Sequence, residues 1–73
     1  LLIWGIQDSV TPVWVGEKFY ELIPNSELVK VDRCGHAPMM ERPDLFNIAL
    51  ESFIRRVEDG TFIENRKAVT VLD

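Results

Sequence analysis

The 73-residue chain is expected to be α/β, with parallel strands in the order strand, helix, strand, helix. Three observations predict this. The opening "LLIW" is a continuous apolar run, which suits a strand covered by helices on both faces. "ELVKVD" is a second short run rich in Leu and Val. Each run leads into a turn-rich loop and then into a stretch with apolar residues at helical spacing.

The first strand, Leu1 to Trp4, is ended by Gly5. In the loop "GIQDSVTP" the pair Thr11-Pro12 reads as a helix start, with Thr as N-cap and Pro at the first helical position. Val15, Phe19, Leu22 and Ile23 form its apolar stripe. Gly16 weakens this helix, and Pro24-Asn25 stops it. The second strand covers 27–32 and ends over Asp32 to Gly35. After the loop "CGHAPMMERP", Pro43 opens a second helix and Asp44 suits its positive end. Its stripe is Phe46, Ala49, Leu50, Phe53 and Val57. Arg55 and Arg56 lie near the negative end, and Gly60 terminates it. Residues 61–63 and 68–72 are expected to pair as short strands or to be partly disordered. Residues 1–57 thus form the domain part and 58–73 a tail.

The net charge is −4. Basic residues pair only at Arg55-Arg56 and Arg66-Lys67, which is no phosphate-binding stripe, so no nucleic-acid partner is expected. Five apolar residues at the start are too few for a signal core or a membrane span. One cysteine and one histidine cannot build a structural zinc site, and a lone free Cys34 fits a reducing, cytoplasmic compartment. An apolar strand at the first residue wants neighbours on both sides. The expectation is a piece of a longer protein, cut before a central strand; the alternative is a small domain that opens on its first strand.

A strand–helix–strand unit of this length has parallel strands joined by a right-handed crossover. The loops after Gly5 and after Asp32 then leave the same rim of the sheet, where open α/β sheets bind ligands. The first carries Asp8 and the second His36. An acid beside a histidine supplies two of the three members of a catalytic triad. The carboxylate accepts the Nδ1–H, fixes the tautomer and stabilises the imidazolium. The bland alternatives are an Asp that shapes a turn and a loop His bonded to backbone. A metal-ligand role for His36 would need nearby carboxylates alone to complete the shell.

"LLIWGIQD" followed by "IPNSELVKVDRCGHAPMMERPDLFN" resembles the C-terminal part of an α/β-hydrolase-fold enzyme, over roughly residues 1–55. In that family the chain order is nucleophile, acid, histidine. Trp4, Gly5 and Asp8 match the W-G-x-x-D pattern of the acid loop. Gly35, His36, Glu41 and Pro43 match the pattern of the histidine loop. The G-x-S-x-G elbow is absent, since no serine is suitably flanked by Gly5, Gly16, Gly35 or Gly60, and the oxyanion loop is absent too. Both would lie upstream of Leu1, in the remainder of the hydrolase domain.

The resemblance implies a serine hydrolase acting on a small-molecule ester or related acyl substrate, with no cofactor. Asp8 orients His36, and His36 serves as general base and then general acid. Ala37, Met39 and Val10 are the substrate-contact candidates, with Pro38 and Met40 beside them; Met as core filler, and core or cap packing for Val10 and Trp14, are the rival readings. Within the family an upstream Asp nucleophile, as in epoxide hydrolases and dehalogenases, is the alternative, as are carbon–carbon bond hydrolases that keep Ser. A non-catalytic fragment that binds a partner through its strand edge is the reading from another class.

Other polar residues are less well placed for catalysis. Asp32 is a rival partner for His36 but is better placed to cap its loop. Cys34 could pair with a histidine as nucleophile and base, but it lies on the same tight loop as His36. Ser9, Ser26 and Ser52 fall in a turn, at a strand start and in a helix. Glu41 reads as a brace for the histidine loop or the start of the last helix.

Overall fold

The computed structural model describes residues 1–63 and 69–73. Its elements are β1 (Leu2–Gly5), α1 (Val13–Leu22), β2 (Leu28–Val31), α2 (Pro38–Glu41), α3 (Pro43–Glu58) and β3 (Thr70–Leu72). The strands form one parallel sheet in the order β1-β2-β3. Leu2 pairs with Leu28 and Gly5 with Val31, so β1 and β2 end level with each other.

Side chains alternate across a sheet, and that alternation sorts the helices onto its two faces. Trp4 and Lys30 face α1. The Trp4 ring lies 6.1 Å from Phe19, and Lys30 Nζ reaches Glu17 at 2.5 Å. Ile3, Val29 and Val31 face the other way and build the core with Cys34, Ala49 and Leu45 of α3. This two-sided burial explains why both strands read as apolar runs rather than alternating ones.

Gly16 is where α1 touches the sheet. A Cβ there would lie 2.7 Å from Trp4 Cδ2. The glycine costs the helix about 1 kcal/mol in propensity and in return permits the close approach. The expected stripe is therefore corrected: Phe19, Leu22 and Ile23 remain substantially exposed, because the contact is centred on Gly16. The expected cap is corrected too. The helix begins at Val13 with Pro12 flanking it and no side-chain cap bond. Thr11 is taken up elsewhere, its N–H by Asp8 and its carbonyl by Trp4 Nε1 at 2.9 Å.

The loop expected between β2 and the last helix contains an extra helical turn, α2. Pro43 is at the start of α3 and Asp44 in its first turn, as read from the sequence. Gly60, at φ +72°, follows the end of α3. Among the described residues, the expected pairing of 61–63 with the last strand is not found. The N–H groups of Thr61 and Phe62 bond back to Arg56 O, and Phe62 turns in against Phe53 with ring centroids 5.0 Å apart. Thr70–Leu72 pairs with β2 instead; Ala68 lies outside the described residues.

The sequence places Glu27 at the start of a strand and Arg56 near a helix end. Glu27 is buried and Arg56 half-buried, and they form a two-pronged ion pair at 2.5 and 2.9 Å, with the guanidinium also over the Phe62 ring. Strand parity carried the signal: Glu27 shares a face with Val29 and Val31, so it too must be buried, and a buried carboxylate needs a partner.

Candidate active site

Because β1 and β2 are adjacent and parallel, their following loops emerge side by side. Ile6 N–H donates to Val31 O at 2.9 Å and Gln7 N–H to Cys34 O at 3.0 Å, so the two loops run together past the strand ends. Gly5 makes this possible. An added Cβ would overlap the Gly35 carbonyl oxygen and lie 2.5 Å from that of Cys34. A glycine where another backbone approaches closely is the expected solution.

This geometry brings Asp8 and His36 together, with Asp8 Oδ2 3.0 Å from His36 Nδ1. The other oxygen, Oδ1, accepts the N–H groups of Val10 (2.9 Å) and Thr11 (2.8 Å). The turn-shaping reading of Asp8 is thus also correct, since one oxygen shapes the turn while the other holds the ring. Burial pushes the Asp8 carboxyl up, but the Thr11 N–H, His36 and the Val10 N–H together outweigh it and hold it below the usual carboxylate range. An ionised carboxylate only accepts, so the shared proton sits on Nδ1, and in the neutral form of the ring Nε2 is the acceptor. No partner for Nε2 is found among the described residues. The carboxylate is 4% exposed and the imidazole 59%, which gives a buried carboxylate behind an open ring.

Asp32 does not compete for the histidine. Its Oδ1 accepts from Gln7 Nε2 at 2.7 Å and from Arg33 N–H at 2.9 Å, contacts that hold its carboxyl below the usual range. Gln7, which no residue-type signal singled out, also accepts Cys34 N–H at 2.9 Å. Glu41 proves to be the brace of the histidine loop: it accepts Gly35 N–H at 3.0 Å and Ala37 N–H at 3.1 Å. Those two N–H groups, Gly35 first, lower the Glu41 carboxyl. Cys34 is 2% exposed and burial pushes its thiol up, so it is an inert core residue rather than a nucleophile. Ser26 is buried and donates to the Ile23 carbonyl at 2.8 Å.

Trp4, Gly5, Asp8, Thr11, His36 and Pro38 line a small cavity of about 130 Å³. Val10, Trp14, Met39 and Met40 are all exposed, Val10 at 71%, so neither Val10 nor Trp14 packs in the core of the described residues; Ala37 is half-buried. A second cavity of the same size lies between α3 and β3, and its charged members, Glu27 and Arg56, neutralise each other. Among the described residues, no three His, Cys, Asp or Glu side chains are grouped to hold a metal ion. No helix among them is long and apolar enough to cross a membrane.

The chain is similar to several hydrolases. It is 36% identical over 55 residues to the uncharacterized hydrolase YugF of Bacillus subtilis, a match covering 75% of this chain and 20% of that protein. It is 39% identical over 61 residues to 2-hydroxy-6-oxo-6-(2'-aminophenyl)hexa-2,4-dienoic acid hydrolase of Metapseudomonas resinovorans, covering 84% and 21%. It is 30% identical over 59 residues to pimeloyl-(acyl-carrier protein) methyl ester esterase of Neisseria meningitidis, covering 81% and 19%. No family model and no solved structure matches the chain. The chain spans about a fifth of the length of these curated relatives, and those relatives are hydrolases.

Proposed function

We propose that these residues are the acid- and base-bearing part of an α/β-hydrolase-fold serine hydrolase that cleaves small-molecule esters or related acyl compounds. The observation that carries the reading is the Asp8–His36 pair, buried on the acid side and open on the base side. In this mechanism His36 Nε2 takes the proton of an attacking hydroxyl and later returns it to the leaving group. Asp8 holds the ring and stabilises the imidazolium in between. The relatives add support, since two are named as hydrolases and the third as a methyl ester esterase. Ala37, Met39 and Val10, on the same two loops, are the proposed substrate contacts.

The nucleophile and its oxyanion donors belong, in this proposal, to chain upstream of Leu1. A serine there makes the protein an esterase-like enzyme, whereas an aspartate would make it an epoxide hydrolase or dehalogenase. The 73 residues alone are then inactive. The buried, unpaired Cys34 fits a reducing cytoplasm.

The test is turnover of p-nitrophenyl butyrate by a protein that carries these residues with the upstream segment. His36→Ala should abolish it, and Asp8→Asn should lower kcat by about 10⁴-fold, the size of loss seen when the acid of a serine-protease triad is replaced by its amide. Unchanged turnover in His36→Ala would sink the assignment.

A further inference from the structure

The His36 imidazole is mostly exposed and Asp8 is its one described hydrogen-bond partner. Its position therefore depends on the backbone that carries it. That backbone lies between the end of β2 and the start of α2, outside any ladder, where N–H groups need partners from elsewhere. Side chains supply them. Cys34 N–H goes to Gln7, and Gly35 and Ala37 N–H go to the two oxygens of Glu41.

We propose that Glu41 is a positioning residue for His36, gripping the backbone immediately before and after the imidazole, with Gln7 holding the loop from the acid side. The inference rests on the triad reading above. Glu41 is itself well anchored, because its own N–H donates to Ala37 O at 2.9 Å while its carboxylate receives Ala37 N–H. Residue 37 is held from both sides by one residue. Gly35 fits the same clamp: a Cβ there would lie 3.2 Å from both Glu41 oxygens. Bonds from backbone N–H to an ionised carboxylate are stronger than neutral ones, and so suited to holding a loop that carries a catalytic ring.

The experiment uses the protein extended upstream and p-nitrophenyl butyrate, with kcat referred to folded enzyme measured by circular dichroism. Glu41→Ala should lower kcat by as much as about 100-fold, the cost of misplacing a catalytic group by about 1 Å. KM should change less than kcat, because of the proposed substrate contacts only Ala37 shares the clamped backbone, whereas the catalytic ring itself is displaced. Glu41→Gln should recover part of the loss, as one oxygen still accepts while the amide nitrogen faces a donor. Gln7→Ala should lower kcat in the same direction. The clamp is overturned if Glu41→Ala keeps kcat near the parent value, or if its loss lies in KM or in the folded fraction. His36→Ala run in parallel separates the two readings. If it is dead while Glu41→Ala keeps the parent kcat, only the clamp fails; if it turns over normally, the triad reading fails and the clamp with it.

Discussion

Both oxygens of Asp8 are engaged, one by the turn it nucleates and one by His36. Glu41 likewise uses both oxygens, and Asp32 accepts twice at Oδ1, all from donors on the two rim loops. All three carboxyls are held below their usual range in the folded protein. Groups shifted this way contribute stability that is fully present above their unfolded values, about pH 4, and lost as pH falls through the lower folded values. The urea midpoint should therefore drop between pH 5 and pH 3, and Asp8→Asn should drop less over that interval; a midpoint that rises on acidification would contradict this. Gly5 is the other residue on which the site turns. Gly5→Ala should force the loops apart and cost about 1–3 kcal/mol or more, as overpacking does. Chemical denaturation measures the loss, and breakage of the Asp8–His36 bond should be visible in the imidazole N–H resonances.

At the scale of elements, α1 shows packing outweighing propensity. On propensity alone Gly16→Ala should stabilise the helix by up to about 1 kcal/mol. In the fold the new methyl meets the Trp4 ring at 2.7 Å, and that ring is tethered through Nε1 to Thr11 O. The net effect should be a loss of about 1 kcal/mol or more, read from the thermal midpoint; a higher midpoint would mean that Trp4 yields. Helix α3 was more readable. Its start at Pro43 and its end near Gly60 follow from local chemistry. The short α2 was missed because a four-residue turn opened by a proline has no periodicity to detect.

At the scale of the whole molecule, the core is thin: among the described residues only Leu28 and Val31 are large and fully buried. A unit this small has roughly 0.05–0.15 kcal/mol of stability per residue, so one long-range contact weighs heavily. The Glu27–Arg56 pair is such a contact, tying the start of β2 to the last turns of α3 and to Phe62. Arg56→Met leaves a buried carboxylate unpaired and should cost about 3–5 kcal/mol, whereas Glu27→Leu with Arg56→Met should recover most of it. Urea denaturation of the single and double variants checks this, and a double variant no better than the single would refute it. Strand β3 belongs to this scale as well. Its pairing with β2, with Asp32 N–H donating to Leu72 O, seats residues from the far end of the chain beside the base of the histidine loop.

What the sequence determined was local and periodic. Apolar runs became β1 and β2, helical stripes became α1 and α3, and the crossover placed Asp8 and His36 on one rim. These follow from backbone geometry and turn chemistry acting over a few residues at a time. Only the tertiary structure decided which acid holds the histidine. Asp32 is nearer in sequence, yet its carboxylate is taken by Gln7 and Arg33, while Asp8 reaches across because Gly5 lets the loops touch. The same holds for Gln7, for Glu27 with Arg56, and for the strand that β3 joins. Each depends on which side chain meets which across long sequence separations, and no local pattern encodes that meeting.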